Sequence, residues 1–184
     1  QTRKLAAIMF TDIVGYTAVM SKDEHKALQI LQKNRDVLEP LLEEFNGEML
    51  KEIGDGTLSS FPSAVEAVRC AMEIQLLLQY DPELKLRIGI HIGDVVFSGR
   101  DVFGEGVNIA SRIEPLAAPG GICISERVHD DIYNKQGIET VFIGENTLKN
   151  VRRPINIYAV TVKKLPLAEA DVTKRVKSEK LPQP

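Results

Sequence analysis

Apolar residues run almost unbroken from Leu5 to Phe10 and then give way to Thr11 and Asp12, the pattern of a buried strand that delivers a carboxylate into a turn. Tyr16 to Ser21 reads as a short helix. Asp23 is placed to cap the next one, where Ala27, Leu28, Leu31, Leu38, Leu41, Leu42 and Phe45 recur at helical spacing. Pro40 lies inside that pattern and predicts a kink or a break into two pieces, and Gly47 marks its end. Two strand-like stretches, Glu48 to Ile53 and Thr57 to Phe61, flank Gly54-Asp55-Gly56, which reads as a hairpin turn with an acidic tip. Ser63 to Leu78 is a second long helix, with Ala64, Ala67, Val68, Ala71, Met72, Ile74, Gln75 and Leu78 on or beside its buried side. Leu84 to Phe97 alternates. Leu86, Ile88, Ile90 and Ile92 take one face, and Arg87, Gly89, His91 and Gly93 the other.

The order so far is strand, helix, strand, strand, helix, strand. This predicts an α+β fold of the ferredoxin-like, split βαβ type, an antiparallel sheet with helices on one face. In that arrangement the first strand lies beside the hairpin, which brings Asp12 and Asp55 together. The rest of the pattern adds a helix from Gly104 to Leu116, a short strand at Ile122 to Ile124, a helix starting at Ser125, and a final pair of strands ending at Val162. Residues 1–162 are expected to form one domain. From Lys163 the chain turns to Lys, Glu and Pro, so residues 163–184 read as a charged linker or tail. Because the chain opens almost directly on a strand, it is expected to be a piece of something larger.

Composition narrows the class. In 184 residues, 43% apolar and 27% charged content is that of a globular protein with a sizeable core. A net charge of −3 supplies no general attraction to nucleic acid or to an anionic membrane surface, so neither is an expected partner. No apolar run reaches membrane-span length and no leader peptide is visible, and Cys70 and Cys123 sit among apolar neighbours as buried thiols do. A cytoplasmic location is the expectation. CxxC and HExxH spacings are absent, as is the GxxxxGK[ST] phosphate loop, and Gly104-Glu105-Gly106 fails the dinucleotide pattern because Ile109 occupies its last position. His91, between glycines on an alternating strand, reads as a packed neutral histidine; His25 and His129 read as surface residues.

The candidate chemistry is acidic. A carboxylate at a strand end, followed by a turn and a helix start, can hold a divalent cation together with the phosphate that the cation neutralises. Asp12 with Ile13-Val14-Gly15-Tyr16-Thr17 has that form, and Asp55 supplies a second turn carboxylate. Taken singly, each is also an ordinary turn residue. A third stretch, from Asp101 to Arg112, puts Asn108 and Arg112 four apart and so on one helix face.

Together, "FTDIVGYT", "KEIGDG", "RDVFGEGVNIASR" and "LKNV" resemble the class III adenylate/guanylate cyclase catalytic domain over Leu5 to Val162. The resemblance implies that Asp12 and Asp55, with the Ile13 carbonyl, bind two Mg²⁺ or Mn²⁺ ions. Ile13, Val14, Gly15, Tyr16 and Thr17 would line the phosphates. Lys51 and Asp101 match the pair that reads the purine, Asn108 the residue that holds the ribose, Arg112 the one that stabilises the transition state, and Lys149 a lysine on the triphosphate. It further implies a head-to-tail homodimer with sites shared between protomers, acting on ATP to give 3′,5′-cyclic AMP and pyrophosphate. The purine edge alone admits GTP as well; the pair Lys51 and Asp101 favours ATP, because guanylate-specific members typically carry other residues there. A guanylate cyclase and a catalytically silent homologue that only dimerises are the alternatives. The short Gly93–Asp101 segment resembles a bacterial subgroup, and Phe103 stands where mammalian-type members often have Trp. The GGDEF-type signature of diguanylate cyclases is absent.

Overall fold

A computed structural model describes residues 1–162, and the expected tail at 163–184 lies outside the described residues. β1 (Thr2–Ile13) starts three residues earlier than the apolar run, because Thr2, Arg3 and Lys4 continue its pairing with β4 (Leu86–Ser98). α1 (Tyr16–Lys22) follows, then α2 (Glu24–Glu44), whose first turn is capped by Asp23 Oδ1 accepting from the Lys26 N–H at 3.0 Å. The break expected at Pro40 does not occur. Leu38 and Leu42, on either side of it, are fully packed in the core, and that burial outweighs one lost backbone bond.

The hairpin is formed by β2 (Glu48–Ile53) and β3 (Gly56–Phe61). α3 (Ala64–Leu78) is capped by Ser63 and followed by β4. β5 (Asp101–Phe103), a three-residue strand, turns back onto the end of β4. α4 (Glu105–Ile113) is shorter than the predicted helix, since Pro115 cannot extend an α-helix and residues Glu114–Leu116 tighten into a 3₁₀ turn. β6 (Ile122–Ser125), α5 (Glu126–Ile132), β7 (Glu139–Asn146) and β8 (Ile155–Thr161) complete the chain.

The sheet runs β2-β3-β1-β4-β6-β8-β7, with β5 on β4. It is antiparallel except where β6 lies parallel to β4, which makes the sheet mixed. The alternation along β1 splits two cores. Ala7 and Met9 join α2, α3 and α5 in the larger one, while Ala6 and Ile8 turn to the other face with Val102 and Ala110. Helices on one face therefore describes α2, α3 and α5, whereas α4 covers the opposite face through Ala110 and, beside β6, Ile109 and Ile113. Among the described residues no helix is long and apolar enough to cross a membrane. Cys70 and Cys123 are buried free thiols, with burial pushing the Cys70 thiol up to about 12.

Candidate active site

Even-numbered side chains of β1 face α4, so Asp12 at the strand's end emerges on that face, opposite Arg87 in the β4 register. The β2–β3 turn swings Asp55 to the same spot, where its Oδ2 accepts the Ile13 N–H at 3.1 Å. Gly56 lets the hairpin come this close: a Cβ there would stand 2.7 Å from the Thr11 carbonyl oxygen. Thr11 and Thr57 hydroxyls, 2.6 Å apart and buried, pin the two strands directly behind the carboxylates.

Asp12 is thereby placed in a position unfavourable for its charge. Burial first, then the hydrogen bond and negative charge of Asp55, raise its proton affinity to about 6. A third carboxyl joins them that sequence reasoning missed. Glu114, on the 3₁₀ turn after α4, is only 8% exposed and lies close enough to Asp12 to feel its charge. Burial and the Asp12 charge push it up to about 7. Arg87, also missed, is the cation facing both acids, and its Nε is tied to the Ala117 carbonyl at 3.0 Å. Arg87 stands among the polar residues of an alternating strand, whereas Glu114 falls within the expected Gly104–Leu116 helix with no local signal to single it out.

The backbone after Asp12 is partly committed. Ile13 and Val14 give their N–H groups to Asp55 and to the Lys85 carbonyl, while among the described residues those of Gly15, Tyr16 and Thr17 have no acceptor. Tyr16 turns its ring into the core, so only its main chain faces outward; Thr17 is exposed.

The other expected residues gather elsewhere on the α4 face. The end of the β4–β5 hairpin folds back far enough for Lys51 Nζ to reach Asp101 Oδ1 at 2.8 Å, which holds the Asp101 carboxyl below its ordinary range. Asn108 and Arg112 share a flank of α4, half-buried. The Arg112 Nε is buried with no acceptor, and the Asn108 side-chain amide has no partner among the described residues. Leu148 packs with Ile109 and Ile113, which sets the exposed Lys149 in a loop anchored to the same helix. Asp12 and Asp101 are not neighbours. Their register partners on β4, Arg87 and Ser98, lie eleven positions apart, roughly 35 Å of strand. His91 is a buried neutral histidine as expected, its Nδ1 2.7 Å from Ser125 Oγ, with burial and then the Arg127 charge lowering it to about 4.

The family model for the adenylate and guanylate cyclase catalytic domain matches residues 1–162. A Rhizobium meliloti protein named adenylate cyclase 3 is 40% identical over 164 residues, covering 85% of this chain and 28% of that protein. A pH-sensitive adenylate cyclase of Mycobacterium tuberculosis is 26% identical, covering 83% of this chain and 40% of its own length. The chain thus spans well under half of either relative. Among solved structures, an adenylate/guanylate cyclase/hydrolase from Silicibacter pomeroyi superposes with a TM-score of 0.80 at 34% identity, over 86% of this chain and 96% of that one. An adenylyl cyclase from P. aeruginosa does so at 0.76 and 27%, over 89% and 96%. With a family model spanning every described residue and a fold shared with these structures, the chain belongs to the adenylate and guanylate cyclase catalytic domain family.

Proposed function

We propose that residues 1–162 are the catalytic domain of an adenylate cyclase that converts ATP to 3′,5′-cyclic AMP and pyrophosphate at sites shared by a head-to-tail homodimer. The observation that carries this is the convergence of Asp12 and Asp55, linked through the Ile13 N–H. Two carboxylates pressed together at the mouth of a sheet gain from a divalent cation more than from solvent. The donor set of Asp12, Asp55 and the Ile13 carbonyl is hard oxygen, suited to Mg²⁺ or Mn²⁺.

When bound, the two cations supply a lowered pKa for the ribose 3′-hydroxyl and neutralise charge on the phosphates. The chain's own residues do the rest. The unpaired N–H groups of Gly15, Tyr16 and Thr17 face the phosphates. From the partner protomer, Asn108 holds the ribose and Arg112 meets the negative charge that develops at the α-phosphorus as its bond to pyrophosphate breaks. Lys149 adds a second cation on the triphosphate. Lys51 donates to adenine N1 and Asp101 accepts from the 6-amino group, so substrate binding exchanges their mutual ion pair for two base contacts. The buried, unpartnered Arg112 Nε supports the shared site, because one protomer gives it no acceptor.

The test is cyclic nucleotide formation with Mn²⁺, using ATP and GTP separately over a range of protein concentrations. Cyclic AMP with specific activity rising as protein concentration rises is the expected result. Cyclic GMP formed from GTP faster than cyclic AMP from ATP replaces the base assignment, and no product from folded dimer replaces the enzyme with a silent homologue.

A further inference from the structure

The register of β2 changes part-way along the strand. Met49 lies opposite Ser59 and Lys51 opposite Leu58, so Leu50 and Lys51 together fill the space of one residue in the ladder. Before this bulge, Met49 turns to the α2 side of the sheet and Leu50 to the α4 side, each against its own core. After it, Lys51 shares the α4 face with Leu58, and Glu52 shares the α2 face with Thr57. Leu50 and Lys51 thus point the same way although they are consecutive. A slip of the later residues that erased the bulge would carry Lys51 round to the α2 face, away from Asp101.

Little burial opposes that slip. β2 is an edge strand, and past the bulge Lys51, Glu52 and Ile53 are all exposed, Ile53 by 52%. The grip on this segment from the α2 face comes from Arg35. Its Nε donates to Glu52 Oε1 at 2.6 Å and its Nη2 to Glu52 Oε2 at 2.8 Å, a two-pronged pair with both side chains about one-third exposed. The turn beyond is held separately, by Asp55 on the Ile13 N–H and by the Thr11–Thr57 hydroxyl pair.

We propose that Arg35 is a positioning residue for base selection: by clamping Glu52 to α2 it holds the register that the bulge creates, and so keeps Lys51 on the α4 face against Asp101. The inference rests on the proposed reading of Lys51 as a purine-contacting residue, and adds a residue that does not itself touch the base. A solvated ion pair adds little to stability, but a fork on a planar carboxylate fixes orientation as well as distance. The effect is therefore expected in where Lys51 points rather than in whether the domain folds.

The first measurement needs no turnover. In the full chain, Lys51 holds the Asp101 carboxyl below its ordinary range, and carbon-13 NMR follows that carboxyl through its pH midpoint. The double variant Arg35→Ala, Glu52→Ala removes the fork without changing net charge. It is expected to raise the Asp101 midpoint part of the way that Lys51→Met raises it. Amide exchange at Ile13, whose N–H bonds Asp55, is expected to match wild type, as is Tm. An unmoved Asp101 midpoint overturns the inference. So does loss of Ile13 protection in step with the shift, because the whole hairpin would then be loosening.

The second measurement reads selectivity. The ratio of kcat/KM for ATP over GTP is expected to fall roughly threefold in the double variant, a share of what one net hydrogen bond carries, with the Mn²⁺ requirement unchanged. Added to Lys51→Met, the same substitutions are expected to lower the ratio no further, since they act through Lys51. An unchanged ratio in the double variant, or a full further fall on top of Lys51→Met, overturns the inference. If wild type turns over neither nucleotide, the cyclase reading fails by itself, and the Asp101 midpoint still decides whether Arg35 positions Lys51.

Discussion

The two ends of the α4 face are built on opposite electrostatic terms. At one end Asp12, Asp55 and Glu114 converge with Arg87 as the facing cation, and burial together with like charge raises the proton affinity of Asp12 and Glu114. At the other, Lys51 and Asp101 satisfy each other across 2.8 Å in a largely solvated pair. On the proposed function, the first end, where carboxyls crowd one another in the isolated chain, would gain on meeting a cation. The second, already paired, would gain little in total, because each proposed base contact replaces an existing one. Affinity for charge and selectivity for the base would then be carried by different devices.

The sharpest way to break this contrast is at the carboxylate end. Asp12→Ala is expected to lower metal-dependent cyclisation on the order of a thousandfold, since a bound cation is worth several kcal/mol of transition-state stabilisation. Steady-state turnover at saturating Mn²⁺ measures it; activity within tenfold of wild type would remove Asp12 from the site. Arg112→Ala comes next. Losing one preorganised donor is expected to lower kcat about a hundredfold with little change in KM. A raised KM at constant kcat would recast Arg112 as a binding residue.

The unevenness in what could be read from the sequence follows the same division. Strands and caps were local: the apolar run ending in Asp12, the Gly54-Asp55-Gly56 turn and the Asp23 cap all declare themselves within a few residues. What escaped was non-local or too short to have a period. β5 is three residues long, and the parallel β6 pairing joins segments more than thirty residues apart. A break at Pro40 is one outcome its local rule allows, and the packing of Leu38 and Leu42 keeps α2 a single helix. The pairing of Asp12 with Asp55 was legible because a hairpin and its neighbouring strand are predictable neighbours. Glu114 was not, because its contact depends on Gly89 admitting a turn from the far side of α4.

At the Lys51–Asp101 end smaller effects are expected. On the proposed base contact, Lys51→Met removes one donor to adenine N1, so the ratio of kcat/KM for ATP over GTP is expected to fall roughly tenfold, the scale of one net hydrogen bond. Competition assays with both nucleotides give that ratio directly. Because the ion pair is solvated, thermal stability is expected to stay close to wild type in the same variant.

The smallest effect distinguishes the two ends by the sign of their response to acid, in the metal-free protein. Asp12 has a folded-state pKa of about 6 against a reference of 3.8, so between those values the folded state binds more protons than the unfolded one. Its ionisation therefore destabilises the fold above about pH 6, and that penalty disappears as the pH falls toward 4. Glu114 adds to the trend from about 7 downward, while neutral His91, with a folded value near 4, opposes it below 6.5. Comparing Asp12→Asn with wild type isolates the Asp12 contribution. At pH 7 the variant is expected to be more stable by about 1 kcal/mol, discounted for a carboxyl still open to solvent, which is roughly 2–4 °C in Tm for a domain of this size. The gain should shrink as the pH approaches 5. Asp101→Asn should show no such slope, because the lowered Asp101 carboxyl titrates below that window in both states. Mn²⁺ should reverse the first comparison, stabilising wild type at pH 7 and leaving Asp12→Asn unmoved. A parallel pH response in the two variants would mean that the carboxylates at the β1 end do not repel one another, and that the contrast between the two ends is false.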